Sequence, residues 1–527
     1  MPTCKQCQHQ FTIYLEDKEF YQRISVPEPT LCPDCRQQRR LLFRNLRVLY
    51  QRKCALSRAN IISPFAPDSK HTVYRAEDWW SDKWEPLKYG RSFDFSKTFF
   101  EQFKDLFIAV PVIHHLAINS ENCNYVNGAA YCKNCYLSFN MDYCEDCYYI
   151  TNSKYAIDCL DCLSLSKCER CYECIDCLDC YHLLFSERCS NCYDSYFLSD
   201  CKNCRNCIAC SNLVGGEYCV FNKAMDKLEF EKIKIILRDK NNLNKFKQEA
   251  LDFSIKNPKK YYFGNYNENF SGFNIKNLKN SHWCFDSSDL ENCNYCNYVF
   301  NAKDCMDYTI FGDKAELIYN CLATGINSYH NICCMACWNG SKNCQYCTYV
   351  SACSDCFGCS GLKHKQYCIL NKQYSKTEYE LLQDKIINQM KERGEYGEFF
   401  PVGMSFFAYN ETVANEYFPL TKEEVLKRGW AWKDEERKKI DPSLLICLQC
   451  GKNYKIIDKE KDFYLKLNLP EPELCHNCRN KNRIDKKIKP TLFKRQCAKC
   501  KKEIITAYAP DRPEIVYCEE CYNKEIY

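Results

Sequence analysis

The chain has 527 residues, 46 of them cysteine, and a formal net charge of +5. Single cores rarely grow beyond roughly 250 residues, so several domains are expected. A cysteine content this high suits disulfide scaffolds, but those are short secreted chains. The opening "MPTCKQCQHQF" has no basic stretch followed by an apolar one, and no apolar run reaches the roughly 18 residues of a membrane helix. The expectation is a cytoplasmic protein with reduced or metal-bound cysteines.

Residues 1–80 begin with two CxxC turns, Cys4 and Cys7, then Cys32 and Cys35. Each turn aims two sulfurs at one point, and two turns make the four-thiolate set of a tetrahedral zinc site. The segment is repeated without a gap 443 residues later, where Cys447, Cys450, Cys475 and Cys478 occupy the same places. The repeat continues into a second pair of turns. In the C-terminal copy these are Cys497, Cys500, Cys518 and Cys521, a third zinc site; in the N-terminal copy the positions hold Cys54, Ser57, Arg75 and Asp78. The N-terminal second unit is therefore degenerate and expected to be metal-free, held by packing of Ile61, Ile62, Phe65, Val73, Tyr74 and Trp79. The expected cofactor is about three zinc ions.

Residues 81–120 read as an aromatic-rich connector, expected to pack the N-terminal ribbon onto the segment after it. Over residues 121–222 the composition changes. Nineteen cysteines lie between Cys123 and Cys219, and every separation is a multiple of three. The segment divides into twelve-residue units such as "CYLSFNMDYCED" and "CYECIDCLDCYH", with Cys, Ser, Ala or Leu at every third place. A fixed period with small residues at regular places predicts a β-solenoid with coils about 4.8 Å apart and a thin interior. Tyrosines are expected to stack along its outside. Residues 223–271 read as a helical spacer, with Asp226 and Glu229 approximating a capping box. A second solenoid is expected over 272–371, distorted around Tyr308 to Asn343, where Cys333, Cys334 and Cys337 break phase. Residues 372–440 read as a helix and connector. Ser375 and Glu378 form a capping box, and Leu381, Leu382, Ile386 and Ile387 an apolar stripe that docks on the solenoid end. The connector is expected to serve the C-terminal half. Residues 441–527 are the second zinc-ribbon pair. The fold class is mainly β: two tandem twelve-residue-repeat solenoids flanked by duplicated zinc-ribbon units, with helical spacers.

The motifs "CxxC…EFY…PEPTLCPDCR" and "CAKC…APDRPEIVYCEECY" resemble probable zinc-ribbon domains of bacteria, over roughly 80 residues at each end. The whole layout resembles a group of uncharacterised cysteine-rich proteins of candidate-phylum bacteria. Zinc ribbons bind nucleic acid, dock proteins or serve structure, so the resemblance implies a metal and leaves the partner open.

Three readings of the solenoid cysteines stand side by side: buried thiols; metal ligands, with Cys132 and Cys135 beside Cys144 and Cys147; and disulfides, which the coil spacing permits. No HExxH, GxSxG or phosphate-loop pattern occurs. His114 and His115 are the one adjacent histidine pair. No catalytic activity is expected. Residues 36–53 carry seven basic residues and no acidic one; residues 479–496 carry eight and one. Such segments beside zinc knuckles suit phosphate contact, through Arg39, Arg40 and Arg44 at one end and Lys486, Lys487 and Lys489 at the other; a solvated linker or an acidic protein partner would use the same charges. The expected function is a non-enzymatic scaffold or adaptor whose ribbon ends contact RNA, DNA or protein. The alternative is a thiol-rich metal or redox protein that works through the solenoid cysteines.

Overall fold

The structure, a computed structural model, describes residues 1–434 and 440–526. Residues 435–439 of the second connector and Tyr527 of the last ribbon lie outside the described residues. The chain forms two compact units, each from two separated segments: Met1–His115 with Gly264–Lys433, and Leu116–Phe263 with Asp434–Tyr527.

In the second unit, strands stack in parallel at an offset of twelve residues. Phe139–Asp142 pairs with Thr151–Lys154. Tyr181–Leu184, Tyr193–Tyr196, Arg205–Ile208 and Glu217–Val220 follow one another in the same way. Where no strand is long enough to be named, single bridges keep the offset, as between Leu160 and Tyr172. The backbone that does this is unusual. One residue in three has a left-handed φ, for example Asn134 at 54°, Leu137 at 45°, Asn140 at 53° and Tyr143 at 53°. Each stands immediately before an inward residue, here Cys135, Ser138, Met141 and Cys144. The chain thus turns a corner every three residues. Asn and Asp tolerate this conformation best after Gly, which accounts for their frequency before the cysteines.

The interior is a column of sulfur and small groups running from Val126 to Cys219. Its thiols are hydrogen-bonded. The Cys174 Sγ donates to the carbonyls of Tyr172 at 3.5 Å and Leu183 at 3.1 Å, and the Cys162 Sγ accepts from the Cys174 N–H at 3.4 Å. Ser186 does the same work, donating to Leu184 O at 2.9 Å and accepting from the Leu198 N–H at 2.9 Å. Cys and Ser alternate here because each is small and carries one donor and an acceptor. Burial pushes the thiols of Cys147, Cys174 and Cys201 well above the ordinary range. Outside, Tyr131, Tyr143 and Tyr155 stack with centroids 4.9 and 5.0 Å apart. Left-handed asparagines link successive levels through their amides, Asn122 to Asn134 at 2.8 Å and Asn140 to Asn152 at 2.7 Å.

The first unit holds an equivalent stack with one irregularity. Asn297 pairs with Thr309, twelve residues on, but Ala302 pairs with Ala315, thirteen on. The longer step persists through Glu316–Tyr329 and Tyr329–Lys342, and the twelve-residue step returns at Lys342–Ser354. This is the distortion expected around Tyr308 to Asn343. The first of these longer levels holds Tyr308, which lies fully inside among Cys305 and Cys321 and donates to the Thr324 carbonyl.

Each stack ends in an antiparallel hairpin, Glu217–Val220 with Lys223–Ala224 and Gln366–Ile369 with Lys372–Gln373. A capped helix comes after each. Asp226 caps Lys227–Ile236, and the Ser375–Glu378 box caps Lys376–Glu392. The buried face of the latter is Tyr379, Ile386 and Met390, whereas Leu381 is exposed. The expected stripe is therefore rotated: Tyr379, not Leu381, begins it.

Both connectors serve partners other than those expected. Phe99 packs on Tyr346 at 5.1 Å and Phe357 at 5.3 Å, so the first connector meets the later stack. In the second connector, Tyr409 accepts from Gln38 at 2.7 Å and the Val413 N–H donates to Arg44 O at 2.9 Å, so it braces the N-terminal ribbon. Among the described residues no helix is long and apolar enough to cross a membrane.

The buried column predicts that iodoacetamide leaves Cys171, Cys174, Cys177 and Cys180 unlabelled in native protein and labels them after unfolding, read by mass spectrometry. Cys174→Ala should cost about 1 kcal/mol. Cys174→Lys, an unpaired charge in the column, should abolish folding of that unit.

Candidate metal centres

Three groups of four sulfurs converge among the described residues: Cys4, Cys7, Cys32 and Cys35; Cys447, Cys450, Cys475 and Cys478; and Cys497, Cys500, Cys518 and Cys521, each with all its sulfurs within 4.8 Å of one another. These are the twelve ligands expected from the sequence. The cysteines of the stacks form no such group among the described residues.

Each centre is built from local turns. In the knuckles the first cysteine receives a backbone bond just past the turn, Gln8 N–H to Cys4 O, Gly451 to Cys447 and Lys501 to Cys497, with left-handed φ at Gln8, Gly451 and Lys501. The second pair of sulfurs in the first two centres comes from a helix start. Cys32 caps Pro33–Leu41, and Cys475 caps His476–Lys486. Sulfur pairs across the turns stand 3.7 Å apart at Cys7–Cys32, 3.8 Å at Cys450–Cys475 and 3.7 Å at Cys500–Cys518. A tetrahedron with metal–sulfur bonds of about 2.3 Å has edges of about 3.8 Å, so the donor set fits a zinc-sized thiophilic ion. Burial opposes ionisation of Cys447 and Cys497. N–H groups of Cys475, Cys450 and Gln449 in one, and of Cys500, Cys518 and Lys499 in the other, outweigh it and lower each thiol to about 6.

The degenerate unit keeps the knuckle, and polar contacts join the positions that hold sulfurs in its C-terminal copy. Arg58 has φ 65° and its N–H bonds Cys54 O, as at the intact knuckles. Cys54 Sγ donates to Asp78 at 3.2 Å and accepts from the Arg75 N–H at 3.3 Å; the Arg75 guanidinium reaches Asp78 at 2.9 Å. A hydrogen bond from Ser57, with those of Cys54 and Arg75, holds the Asp78 carboxyl down at about 2. Ile61, Phe65, Val73, Tyr74 and Trp79 are buried around it.

The helices that carry the second ligand pairs also dock each ribbon on a stack. Arg36 and Arg40 reach the two oxygens of Asp307 at 2.8 and 3.2 Å. Arg479 and Arg483 reach the two oxygens of Asp161 at 3.0 and 2.9 Å. Behind each pair lies a second carboxylate held by a tyrosine: Asp17 by Tyr295 at 2.8 Å, and Glu460 by Tyr149 at 2.9 Å. Each first arginine also lies 5.1 Å over that tyrosine's ring. All four carboxylates are buried, and two positive charges meet two negative ones in each set. The N-terminal ribbon docks on the later stack and the C-terminal ribbon on the earlier one.

This corrects the phosphate-contact assignment. Arg40 is fully buried against Asp307, Thr309 and Asn320. Arg39 pairs with Glu398 at 2.9 Å, Arg44 is half-buried, and Lys487 is buried on Asp176 at 2.6 Å and Ser164 at 2.7 Å. Lys486 and Lys489 alone of the six are exposed. Arg40 and Lys487 serve the chain's own aspartates. His114 and His115 meet edge to face with centroids 3.8 Å apart, and burial lowers them to about 3 and about 4.

Asp17, Asp161, Asp307, Glu460, Tyr149 and Tyr295 were not picked out by sequence reasoning. A signal existed: at the offset of 443 Asp17 falls on Glu460, and at 146 Asp161 and Tyr149 fall on Asp307 and Tyr295.

A family model described as a probable treble clef domain matches residues 2–42, which contain the first centre and the docking helix. No curated protein matches the chain.

Removing one partner of a buried ion pair strands the other charge, at about 3–5 kcal/mol. Arg479→Ala and Arg40→Ala should each destabilise their unit by that much in urea unfolding, and Lys489→Ala by less than about 0.5 kcal/mol.

Proposed function

We propose that the protein is a non-enzymatic, zinc-binding scaffold. Its two stacks of parallel strands act as rigid β-solenoids, and its treble-clef ends fasten to them through three zinc ions. The observation that carries this is the doubled docking set, in which a helix holding two metal ligands also holds the arginines that grip a stack. In this reading the metal orders the helix, and the helix places Arg36 with Arg40, or Arg479 with Arg483, on one buried aspartate. Zinc supplies a cross-link and no chemistry. The stack cysteines are packing atoms: they are buried, and their S–H groups are spent on backbone carbonyls. Partners, whether RNA, DNA or protein, would meet the outer rows of tyrosine and asparagine and the exposed tips of the knuckles, since most of the basic helix residues are engaged internally.

The reading is tested by metal analysis of protein purified without chelator. About three zinc per chain are expected, in all-sulfur coordination at about 2.3 Å. Cys497→Ser should remove one and Cys54→Ser none. A larger tightly held metal content would instead favour the stack cysteines as working ligands.

A further inference from the structure

The two ribbons dock through the same chemistry but differ in what else holds them. At the C-terminal end the further contacts run through the second four-sulfur knuckle, where Val516–Tyr517 pairs in parallel with Lys259–Lys260, Glu519 meets Lys260 at 2.7 Å and Thr506 donates to Tyr261 O at 2.7 Å. The N-terminal ribbon is gripped on a second side. Glu398 accepts from the Thr30 N–H at 3.2 Å and its hydroxyl at 2.7 Å, and from Arg39 at 2.9 Å; Gln38 reaches Tyr409 at 2.7 Å. At the offset of 443, Thr30, Arg39 and Gln38 become Glu473, Asn482 and Lys481. Glu473 makes a half-exposed pair with Lys240, Asn482 bonds Gln449 inside the ribbon itself, and Lys481 is exposed. The sulfurs differ as well. Cys450 and Cys500 are exposed, whereas Cys7 is half-buried. Finally, the second knuckle of the N-terminal end is closed by Cys54, Arg75 and Asp78, which a chelator cannot remove, whereas its C-terminal counterpart is a four-sulfur centre. Lys487 adds a buried pair with Asp176 at the C-terminal end, but it caps the same helix and leaves with it.

We propose that the C-terminal ribbon is a metal-controlled clasp on the first stack: it opens on metal loss while the N-terminal ribbon stays closed on the second. The proposal rests on the zinc reading above. The link is direct. Cys478 is adjacent to Arg479, and Cys475 caps the helix that carries Arg483. Losing the ion frees the helix start, and with it the geometry that lets two guanidinium groups share Asp161. Opening uncovers Asp161, Asp176, Tyr149 and Tyr172, an acidic and aromatic surface that is otherwise buried. Such a surface accepts a helix with two arginines one turn apart, which is the ligand it has just released.

The test is hydrogen exchange with mass spectrometry on the full-length protein during stepwise EDTA addition, with zinc counted on each sample. Amides of residues 475–487 and of 148–162 should exchange at least tenfold faster at a chelator level that leaves residues 32–44 and 54–78 protected. Zinc sulfate added back should restore protection. Asp161→Asn, which leaves every sulfur in place, should keep about three zinc and still loosen residues 475–487. Both ribbons opening together, or the N-terminal one first, would overturn the clasp with the zinc count intact. Starting protein without zinc would overturn the zinc reading and the clasp with it.

Discussion

The structure depends on how little room a twelve-residue turn of chain encloses. With a corner every third residue, one side chain in three points inward and must share a narrow column with the levels above and below. Few large side chains fit, and charged ones have no partner there. Cysteine meets the constraint: it is small, readily buried, and its S–H can reach two carbonyls. Serine meets it where it occurs. Among the described residues Tyr308 is the tyrosine inside a column, and it lies in the first of the levels that take thirteen residues instead of twelve. Perimeter thus accounts for the cysteines along the stacks, and among the described residues two CxxC turns bring four sulfurs to a point at three other places.

The stacks are stiff but offer few places where another domain can be fixed. The ladder exposes repeated side chains at left-handed corners, and two of these, Asp161 and Asp307, are aspartates that would be costly to bury alone. Two arginines from a ribbon helix neutralise each, and a second carboxylate balances the excess positive charge. Buried pairs of this kind contribute registration more than net stability, because desolvation offsets most of the Coulomb gain. The same set occurs on both stacks, so the docking chemistry does not require a ribbon to bind the stack next to it in sequence, and each binds the other one.

Much of this was legible in the sequence. The multiples of three between Cys123 and Cys219 carried the parallel offset, and the phase break at Cys333 marked the longer levels. The CxxC spacing located the three four-sulfur groups found among the described residues, and the loss of three thiols at Ser57, Arg75 and Asp78 marked the knuckle that polar contacts close. The destination of the basic residues was not legible. A run such as Arg36 to Lys53 looks alike whether it faces phosphate, water or a buried aspartate 271 residues away, as Arg36 does. Nor did composition reveal the left-handed corners, although the Asn and Asp residues preceding the cysteines were their trace. The exchange of ribbons between stacks leaves no local mark in either partner.

In the proposed scaffold the stack sulfurs are neutral, hydrogen-bonded packing atoms. Raman spectroscopy of the intact protein reads this directly through the S–H stretching band and its rate of deuteration. A strong band on the hydrogen-bonded side, exchanging only as slowly as the protein opens, is the predicted result. A weak S–H band accompanied by S–S or metal–thiolate modes beyond those of three four-sulfur sites would contradict it.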